Sequence, residues 1–228
     1  MSTANNVTCS IIIPVYNEEQ HINSLINQVF NPACEIIVVD GNPTANTLQA
    51  ITHPDVIKIT SPAGRGIQLN AGAQKAKGAI LFFIHADSTP SNYAIETIRN
   101  ILQDESIVGG AFQLHIDSLK KSYRFLEWCI NLRSRITQVP YGDQGIFIKK
   151  TCFEELGGFP SYPIMEDIAF IKKIKKQRLR FSLLKETIAT SPRRWEQEGI
   201  IRCTLRNWMI RTLYYLGVHP EKLQKWYR

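Results

Sequence analysis

Acidic side chains at a few positions in this chain could do chemistry. Three of them close apolar runs, and two more stand next to each other later in the sequence. These acids are Glu18, Asp40, Asp87, Glu166 and Asp167. Carboxylates can bind a divalent cation or take a proton from an attacking hydroxyl group. The alternative for each is a structural role at the start of a helix, as a cap or beside the helix dipole.

The elements that must position these acids form an alternating series of strands and helices. Apolar runs at residues 10–15, 35–39 and 79–84 lack polar alternation, which is typical of parallel strands buried on both faces. Ligands of such sheets bind outside the carboxyl ends of the strands. We therefore predict an α/β fold whose central sheet is mostly parallel and flanked by helices. We also expect Asp40, Asp87 and Asp167 to open into one cavity at that edge.

The second half of the chain contains two predicted helices that are basic and amphipathic, at residues 118–136 and 199–216. Their apolar stripes are Phe125, Trp128, Cys129, Leu132 and Ile136 in the first, and Ile201, Leu205, Trp208, Met209 and Leu213 in the second. No linker, repeat or low-complexity segment divides the chain, so we predict a single domain over residues 1–228.

Composition excludes several classes of protein. A hydrophobic content of 44% can fill a core, so the chain is not expected to be disordered. No apolar run is long enough to cross a membrane. Residues 1–8 show neither the basic nor the apolar region of a signal peptide, so we expect a cytoplasmic protein. The five cysteines are scattered without a Cys-x-x-Cys pair, which favours neither a zinc site nor a disulfide framework.

Charge is divided unevenly along the chain. Residues 1–114 carry five basic and nine acidic residues, whereas residues 115–228 carry 22 basic and 11 acidic residues. A basic half suits an anionic partner such as a phosphorylated substrate or an anionic lipid surface. Nucleic acid is not expected, because no recognised nucleic-acid-binding motif accompanies the charge.

A set of short motifs, in this order and context, resembles family 2 glycosyltransferases. The motifs are Pro14-Val15-Tyr16-Asn17-Glu18, Val39-Asp40-Gly41, His85-Ala86-Asp87 and Glu166-Asp167, with further stretches at residues 64–73, 141–144, 157–160 and 191–195. The resemblance covers roughly residues 9–215 and is nearest to a small bacterial subgroup of soluble enzymes. It implies the GT-A fold and inverting transfer from a nucleotide-diphosphate sugar. Roughly residues 9–115 would then be the nucleotide-binding half, and residues 116–228 the acceptor-side half.

The resemblance implies a donor site at the ends of the first two strands. Asp40 would accept a hydrogen bond from a uracil or guanine ring, and Glu18 would lie near the ribose. Pro14 and Tyr16 are placed to shape the same site, although Pro14 could equally serve a strand-terminating turn.

Other residues are candidates for binding the diphosphate. Arg65, within Gly64-Arg65-Gly66 ahead of a helix, is expected to form an anion cradle, with a plain turn as the alternative. A second group is expected to grip the diphosphate and stack on a sugar or base, with a solvated basic loop as the alternative. That group is Arg193, Arg194 and Trp195. Asp143 and Gln144 are expected to shape the acceptor or diphosphate pocket.

A divalent cation is implied by the place that His85-Ala86-Asp87 occupies, which is that of the Asp-x-Asp motif in the GT-A fold. Asp87 is the expected ligand of Mn²⁺ or Mg²⁺, which would bridge the diphosphate. His85 is the second candidate ligand, and an imidazole there favours Mn²⁺ over Mg²⁺.

The acid pair supplies the expected catalytic base. The resemblance assigns this role to Asp167, next to Glu166. Two other functions remain open: nucleotidyl transfer, and a sugar-nucleotide-binding or membrane-adaptor domain without catalysis. The latter is suggested by His85 and by the absence of a second acid shortly after Asp40.

The expected partners are a UDP- or GDP-linked sugar and an acceptor that the sequence does not identify, with a lipid-linked acceptor as one candidate. The two basic helices are candidates for peripheral contact with the inner face of the membrane. The alternative is that they simply pack on the domain.

Overall fold

The structure is a computed structural model, and it describes residues 8–227. The expectation about the amino-terminal segment therefore falls, Thr8 aside, on residues outside this range. Eight strands are present: β1 Cys9–Val15, β2 Cys34–Asp40, β3 Ile57–Thr60, β4 Ile80–Phe83, β5 Ser88–Pro90, β6 Ile107–Ile116, β7 Ile146–Lys149 and β8 Arg180–Thr190. Ten helices accompany them: α1 Ile22–Val29, α2 Asn46–Ala50, α3 Arg65–Lys75, α4 Ala94–Ile101, α5 Lys121–Thr137, α6 Lys150–Glu155, α7 Glu166–Lys176, α8 Arg193–Glu198, α9 Ile200–Tyr215 and α10 Pro220–Tyr227.

All eight strands form one sheet in the order β3-β2-β1-β4-β7-β6-β8-β5. The pairings β1–β2, β2–β3, β1–β4 and β6–β8 are parallel, as predicted. The pairings β4–β7, β6–β7 and β5–β8 are antiparallel, so the sheet is mixed. The difference arises in the second half of the chain, where β7 lies between β4 and β6 and runs against both.

Helices cover both faces of the sheet because the strands are apolar on both sides. Along β1, Ile11 and Ile13 pack into one core cluster, while Ile12 packs into the other. This alternation is the two-residue period of a strand. The first cluster includes residues of α1 and α4, and the second includes residues of α3, α6 and α7. The layered architecture agrees with the predicted α/β fold.

The carboxyl ends of β1 and β2 are held together by a buried amide. The Gln68 side-chain nitrogen donates to the carbonyl oxygens of Val15 and Val39, each at 2.8 Å. Gln68 lies in α3, which begins at Arg65 beside the same edge of the sheet. The amide therefore fixes α3 against the strand ends that border the candidate site.

Helix α5 does not pack its predicted apolar stripe on the domain, so that alternative is wrong for this helix. Its predicted apolar stripe faces solvent, with Phe125 and Ile136 68% and 74% exposed, whereas Tyr123 and Glu127 are buried. The physical reason is the edge of β6. Strand β7 pairs with β6 only as far as Ala111, so the later backbone groups on that side need other partners.

Polar side chains of α5 supply those partners. Asn131 accepts from the backbone N–H of Leu114 and donates to its carbonyl oxygen, at 2.8 and 2.9 Å. Glu127 accepts a short hydrogen bond from the backbone N–H of Ile116. The face of α5 that carries Glu127 and Asn131 is thus turned inward, together with the buried side chains of Tyr123 and Leu126.

Three elements were not predicted from the sequence: β5, α8 and α10. In addition, the sequence predicts a strand from Leu179 to Leu184, whereas β8 begins at Arg180 and continues to Thr190. Among the helices of residues 8–227, none combines the length and apolar character that crossing a membrane requires.

Candidate active site

A cavity of about 560 Å³ lies at the carboxyl ends of β1 and β4, between the first turns of α3 and α7. Helices α9 and α10 contribute further walls. Most of the predicted site residues line it. These are Pro14, Tyr16, Glu18, Arg65, His85, Asp87, Asp143, Glu166, Asp167, Arg194 and Trp195. The chain folds them together because strand ends and helix starts meet at this edge of the sheet.

Asp40 does not reach the cavity wall, so the prediction of one cavity shared by Asp40, Asp87 and Asp167 is wrong for Asp40. Its side chain is fully buried, and its Oδ1 atom accepts from the backbone N–H of Asn42 at 2.8 Å. This turn at the end of β2 folds the carboxylate back on its own backbone. The Oδ2 atom is also buried and has no hydrogen-bond partner among the described residues.

Gln144 is also displaced from its predicted place in the pocket. It is buried, donates to the carbonyl oxygen of Phe112 at 3.0 Å and accepts from the Ser134 hydroxyl at 2.7 Å. These bonds anchor the 3₁₀ turn at Gly142–Gln144 to β6 and α5. Its role in the structure is to hold that turn.

Residues 193–198 form helix α8 rather than a loop. Arg193 lies outside the cavity lining and pairs with Glu18 at 3.1 Å. Arg194 and Trp195 line the cavity, and the Trp195 ring also meets Tyr123 edge-on, with 6.3 Å between centroids. Arg193 therefore belongs to an ion pair outside the cavity lining, whereas Arg194 and Trp195 belong to the site.

Glu166 and Arg65 form an ion pair at the base of the site. Arg65 Nη1 lies 3.3 Å from Glu166 Oε1, and the Glu166 side chain is only 2% exposed. Burial raises the pKa of Glu166 to about 7, against the opposing effect of Arg65 and with a further contribution from Asp167. Burial works against the Arg65 charge, but Glu166, Tyr227 and Asp167 raise its pKa overall.

Asp167 is the more accessible member of the acid pair. Its Oδ2 atom accepts from the backbone N–H of Gly142 at 2.7 Å, and its Oδ1 atom accepts from the backbone N–H of Ile168 at 2.7 Å. Met165, just ahead of α7, has a left-handed φ of 68°, which turns the chain sharply into the helix. These contacts fix the carboxylate at the cavity wall.

His85 and Asp143 present unpaired polar atoms beside the acids. The Nε2 atom of His85 and the Oδ1 atom of Asp143 are buried and have no hydrogen-bond partner within residues 8–227. Burial and the nearby Arg65 hold the pKa of His85 well below its ordinary value, so its imidazole is neutral at pH 7. Burial raises the pKa of Asp143 to about 6; Arg133 opposes this, and Asp167 and Asp87 add to it.

This donor set fits a divalent cation in its chemistry. A neutral imidazole and carboxylates that repel one another are groups that Mn²⁺ binds and stabilises. Within residues 8–227, however, no three His, Cys, Asp or Glu side chains are already grouped closely enough to hold a metal ion. Metal binding is therefore not established by the arrangement of the side chains.

Sequence reasoning missed three residues of the cavity wall that carry strong contacts: Tyr141, Arg211 and Tyr227. Arg211 donates to the Tyr141 hydroxyl at 3.1 Å, and the Arg133 guanidinium lies 3.4 Å from the centre of the Tyr141 ring. Tyr227 accepts a short hydrogen bond from Arg194. Tyr141 belongs to the stretch at residues 141–144 that resembles the family. No sequence pattern indicated Arg211 or Tyr227 as site residues.

The assembled site therefore combines two kinds of charge in one cavity. Carboxylates are held at the carboxyl end of β4, in the 3₁₀ turn and at the start of α7. Guanidinium groups enter from α3, α8 and α9. The arrangement can bind an anionic ligand through its arginines while a carboxylate accepts a proton beside it.

The curated relatives that the chain matches are named as glycosyltransferases. The chain is 32% identical over 117 residues to an uncharacterized glycosyltransferase of Nostoc sp., covering 47% of this chain and 36% of that protein. It is 24% identical over 164 residues to a dolichyl-phosphate beta-glucosyltransferase of Trichomonas vaginalis, covering 61% of this chain and 50% of the relative. The chain spans 36% to 67% of the length of the curated relatives that it matches.

Two solved structures show the same fold. One is a mannosyltransferase from Pyrobaculum calidifontis in complex with GDP-Man and Mn²⁺, with a TM-score of 0.68 and 20% identity over 90% of this chain and 61% of the other. The second is TarS of S. aureus in complex with UDP-GlcNAc, with a TM-score of 0.62 and 18% identity over 81% of this chain and 58% of the other. These likenesses confirm the GT-A fold.

The family model described as "Glycosyl transferase family 2" matches residues 10–153. This range contains β1 to β7 and most of the carboxylates described above. Because the match covers more than half of the chain, the protein belongs to glycosyl transferase family 2.

Proposed function

We propose that this protein is an inverting glycosyltransferase that moves a sugar from a nucleotide-diphosphate sugar to an acceptor hydroxyl group. The observation that carries the proposal is the meeting of Asp87, Asp143 and Asp167 with Arg65 and Arg194 around one cavity. An anionic donor and a deprotonating carboxylate are the two things that such a reaction needs in one place.

Asp167 acts as the base in this proposal. Its carboxylate takes the proton of the acceptor hydroxyl while the acceptor oxygen bonds to the anomeric carbon. The bond from that carbon to the diphosphate oxygen breaks on the opposite face, and the nucleoside diphosphate leaves with the electron pair. The backbone N–H groups of Gly142 and Ile168 orient the carboxylate for this step.

Glu166 has a positioning role rather than a catalytic one. Its buried carboxylate contacts Arg65, and this contact holds the guanidinium at the start of α3. Arg65 and Arg194 then bind the diphosphate, with Trp195 against the sugar or base. Pro14, Tyr16 and Glu18 remain the proposed nucleotide-side residues. The Oδ2 atom of Asp40 is buried, so it can contact a nucleotide base only after a small local shift exposes it.

Asp87, His85 and Asp143 are the residues that would hold a divalent cation. When bound, the cation would offset negative charge on the departing diphosphate. The structural relatives solved with GDP-Man and with UDP-GlcNAc support either purine or pyrimidine nucleotide sugars as donors. The relative named for dolichyl phosphate supports a lipid-linked acceptor.

The test is release of nucleoside diphosphate from a panel of UDP- and GDP-sugars with Mn²⁺ and a pool of acceptors. Asp167→Asn should lower turnover by roughly a hundredfold or more, since a general base contributes about 10²–10⁴-fold. The matched control is Asp55→Asn, which removes an exposed carboxylate that does not line the cavity. Equal turnover in wild type and Asp167→Asn would refute the assignment of the base.

Two further readouts separate the remaining alternatives. The anomeric configuration of the product, read by proton NMR, should be opposite to that of the donor. Pyrophosphate release from a nucleoside triphosphate would instead support nucleotidyl transfer. Donor binding by calorimetry without any turnover would support a binding domain that lacks catalysis.

A further inference from the structure

Helix α5 presents a continuous apolar stripe to solvent. Phe125, Trp128, Leu132 and Ile136 recur every three or four residues, so they share one face of the helix. All four are exposed, and the rings of Phe125 and Trp128 stack with 6.0 Å between their centroids. Since the opposite face, with Glu127 and Asn131, is engaged by the edge of β6, this orientation is imposed by the fold.

Helix α9 presents a second stripe of the same kind. Ile201, Leu205 and Trp208 are 76%, 59% and 49% exposed. Cys203 and Ile210, on the other side of the helix, are fully buried. Soluble monomers rarely expose large contiguous apolar patches unless the patches serve a partner or a membrane.

The two helices have shared neighbours near both ends. Near their beginnings, Tyr123 and Leu126 of α5 belong to a cluster that Ile200 packs against. Toward their ends, Arg133 of α5 and Arg211 of α9 both contact Tyr141. The helices therefore run along the same part of the molecule, with their outward faces unpaired. We name Phe125, Trp128, Ile136, Ile201, Leu205 and Trp208 the α5–α9 apolar surface.

The exposed charged side chains of these two helices are basic. Lys121, Arg124, Arg135 and Arg202 are exposed on these two helices. The only acidic residue within either helix is Glu127, which is buried and paired with Arg124 and His115. A protein partner that filled an apolar groove would not need basic side chains beside it, whereas an anionic lipid surface attracts them.

We propose that the α5–α9 apolar surface docks on an anionic phospholipid bilayer. The two helices lie in the plane of the interface, with their apolar side chains among the acyl chains near the headgroups. Trp128 and Trp208 suit this depth because an indole has an apolar ring and a polar N–H. The basic side chains contact phospholipid phosphates, and the docking does not depend on the transfer reaction proposed above.

The test uses flotation of the full chain with vesicles of phosphatidylcholine alone and with 30% phosphatidylglycerol. We expect binding to the anionic vesicles that weakens as salt rises, and little binding to the neutral vesicles. Tryptophan fluorescence should be quenched by brominated lipids in the same samples. Lys121→Glu with Arg202→Glu should weaken partitioning by roughly tenfold or more, because each basic residue near such a surface contributes about a fivefold effect.

Two variants separate apolar insertion from general charge. Trp128→Ser with Leu205→Ser should also lower partitioning and reduce quenching. The matched charge control is Lys75→Glu with Lys77→Glu, two exposed positions at and just beyond the end of α3 that should leave binding nearly unchanged. Circular dichroism checks that each variant is folded.

Three outcomes would overturn the proposal. The first is no binding to anionic vesicles at low salt, and the second is equal loss of binding in the Lys75 and Lys77 control. The third is a dimer in sedimentation velocity that the Trp128 and Leu205 substitutions dissociate, since the surface would then be an interface between two copies of this chain.

Discussion

Glu166→Gln should remove the pH dependence of the free energy of unfolding that the buried Glu166 carboxylate causes. Folding raises the pKa of Glu166 from 4.5 to about 7, chiefly through burial. The folded state therefore binds this proton more tightly than the unfolded state, and the stability gained is present below pH 4.5. It is lost as the pH rises through 7, by at most about 3.4 kcal/mol at 1.36 kcal/mol per pH unit. Glutamine cannot ionise, so the variant lacks this pH dependence.

The assay is urea unfolding of wild type and variant at pH 5, 6, 7 and 8. Comparing the two proteins at each pH cancels the titration of all other groups that the substitution does not disturb. The wild type should lose stability relative to Glu166→Gln as the pH rises, whatever constant offset the lost contact with Arg65 adds. Glu155→Gln, an exposed carboxylate at the end of α6, should follow the wild type. A wild-type-minus-variant difference that stays flat from pH 5 to 8 would refute the reasoning.

Three further predictions concern the scaffold and the cation. Gln68→Ala should lower the free energy of unfolding by about 1–3 kcal/mol, because it removes two buried hydrogen bonds; Gln74→Ala, exposed on the same helix, is the control in urea unfolding. Gly66→Ala should cost about 1–3 kcal/mol in the same assay, since its new Cβ would lie 2.6 Å from the carbonyl oxygen of Pro160. Treatment with EDTA should reduce the rise in melting temperature that a donor nucleotide produces, and added Mn²⁺ should restore it; an unchanged rise would argue against a bound cation.

Local pattern was enough to find most of the elements. The apolar runs that became β1, β2 and β4 predicted parallel strands because side chains buried on both faces leave no polar alternation. Because parallel strands end at the same edge of a sheet, the residues that follow them were expected to lie together there. Tyr16, His85 and Asp87 accordingly line one cavity.

Side-chain direction within that edge was not available from the sequence. Asp40 occupies the predicted position at the end of β2, yet its carboxylate turns back to the backbone of Asn42. Tyr227 and Arg211 reach the cavity from the tail, more than a hundred residues from the first strands. Such contacts depend on where α9 and α10 pack, and local periodicity carries no information about this.

The sequence by itself determined that α5 would be a helix with one apolar and one polar face. Only the tertiary structure decided which face would be buried. Because β7 leaves β6 unpaired beyond Ala111, the backbone of Leu114 and Ile116 needs polar partners, and Asn131 and Glu127 provide them. Satisfying those backbone groups turned the face with Glu127 and Asn131 inward, together with Tyr123 and Leu126, and left Phe125 and Trp128 exposed, a result that helical periodicity alone could not predict.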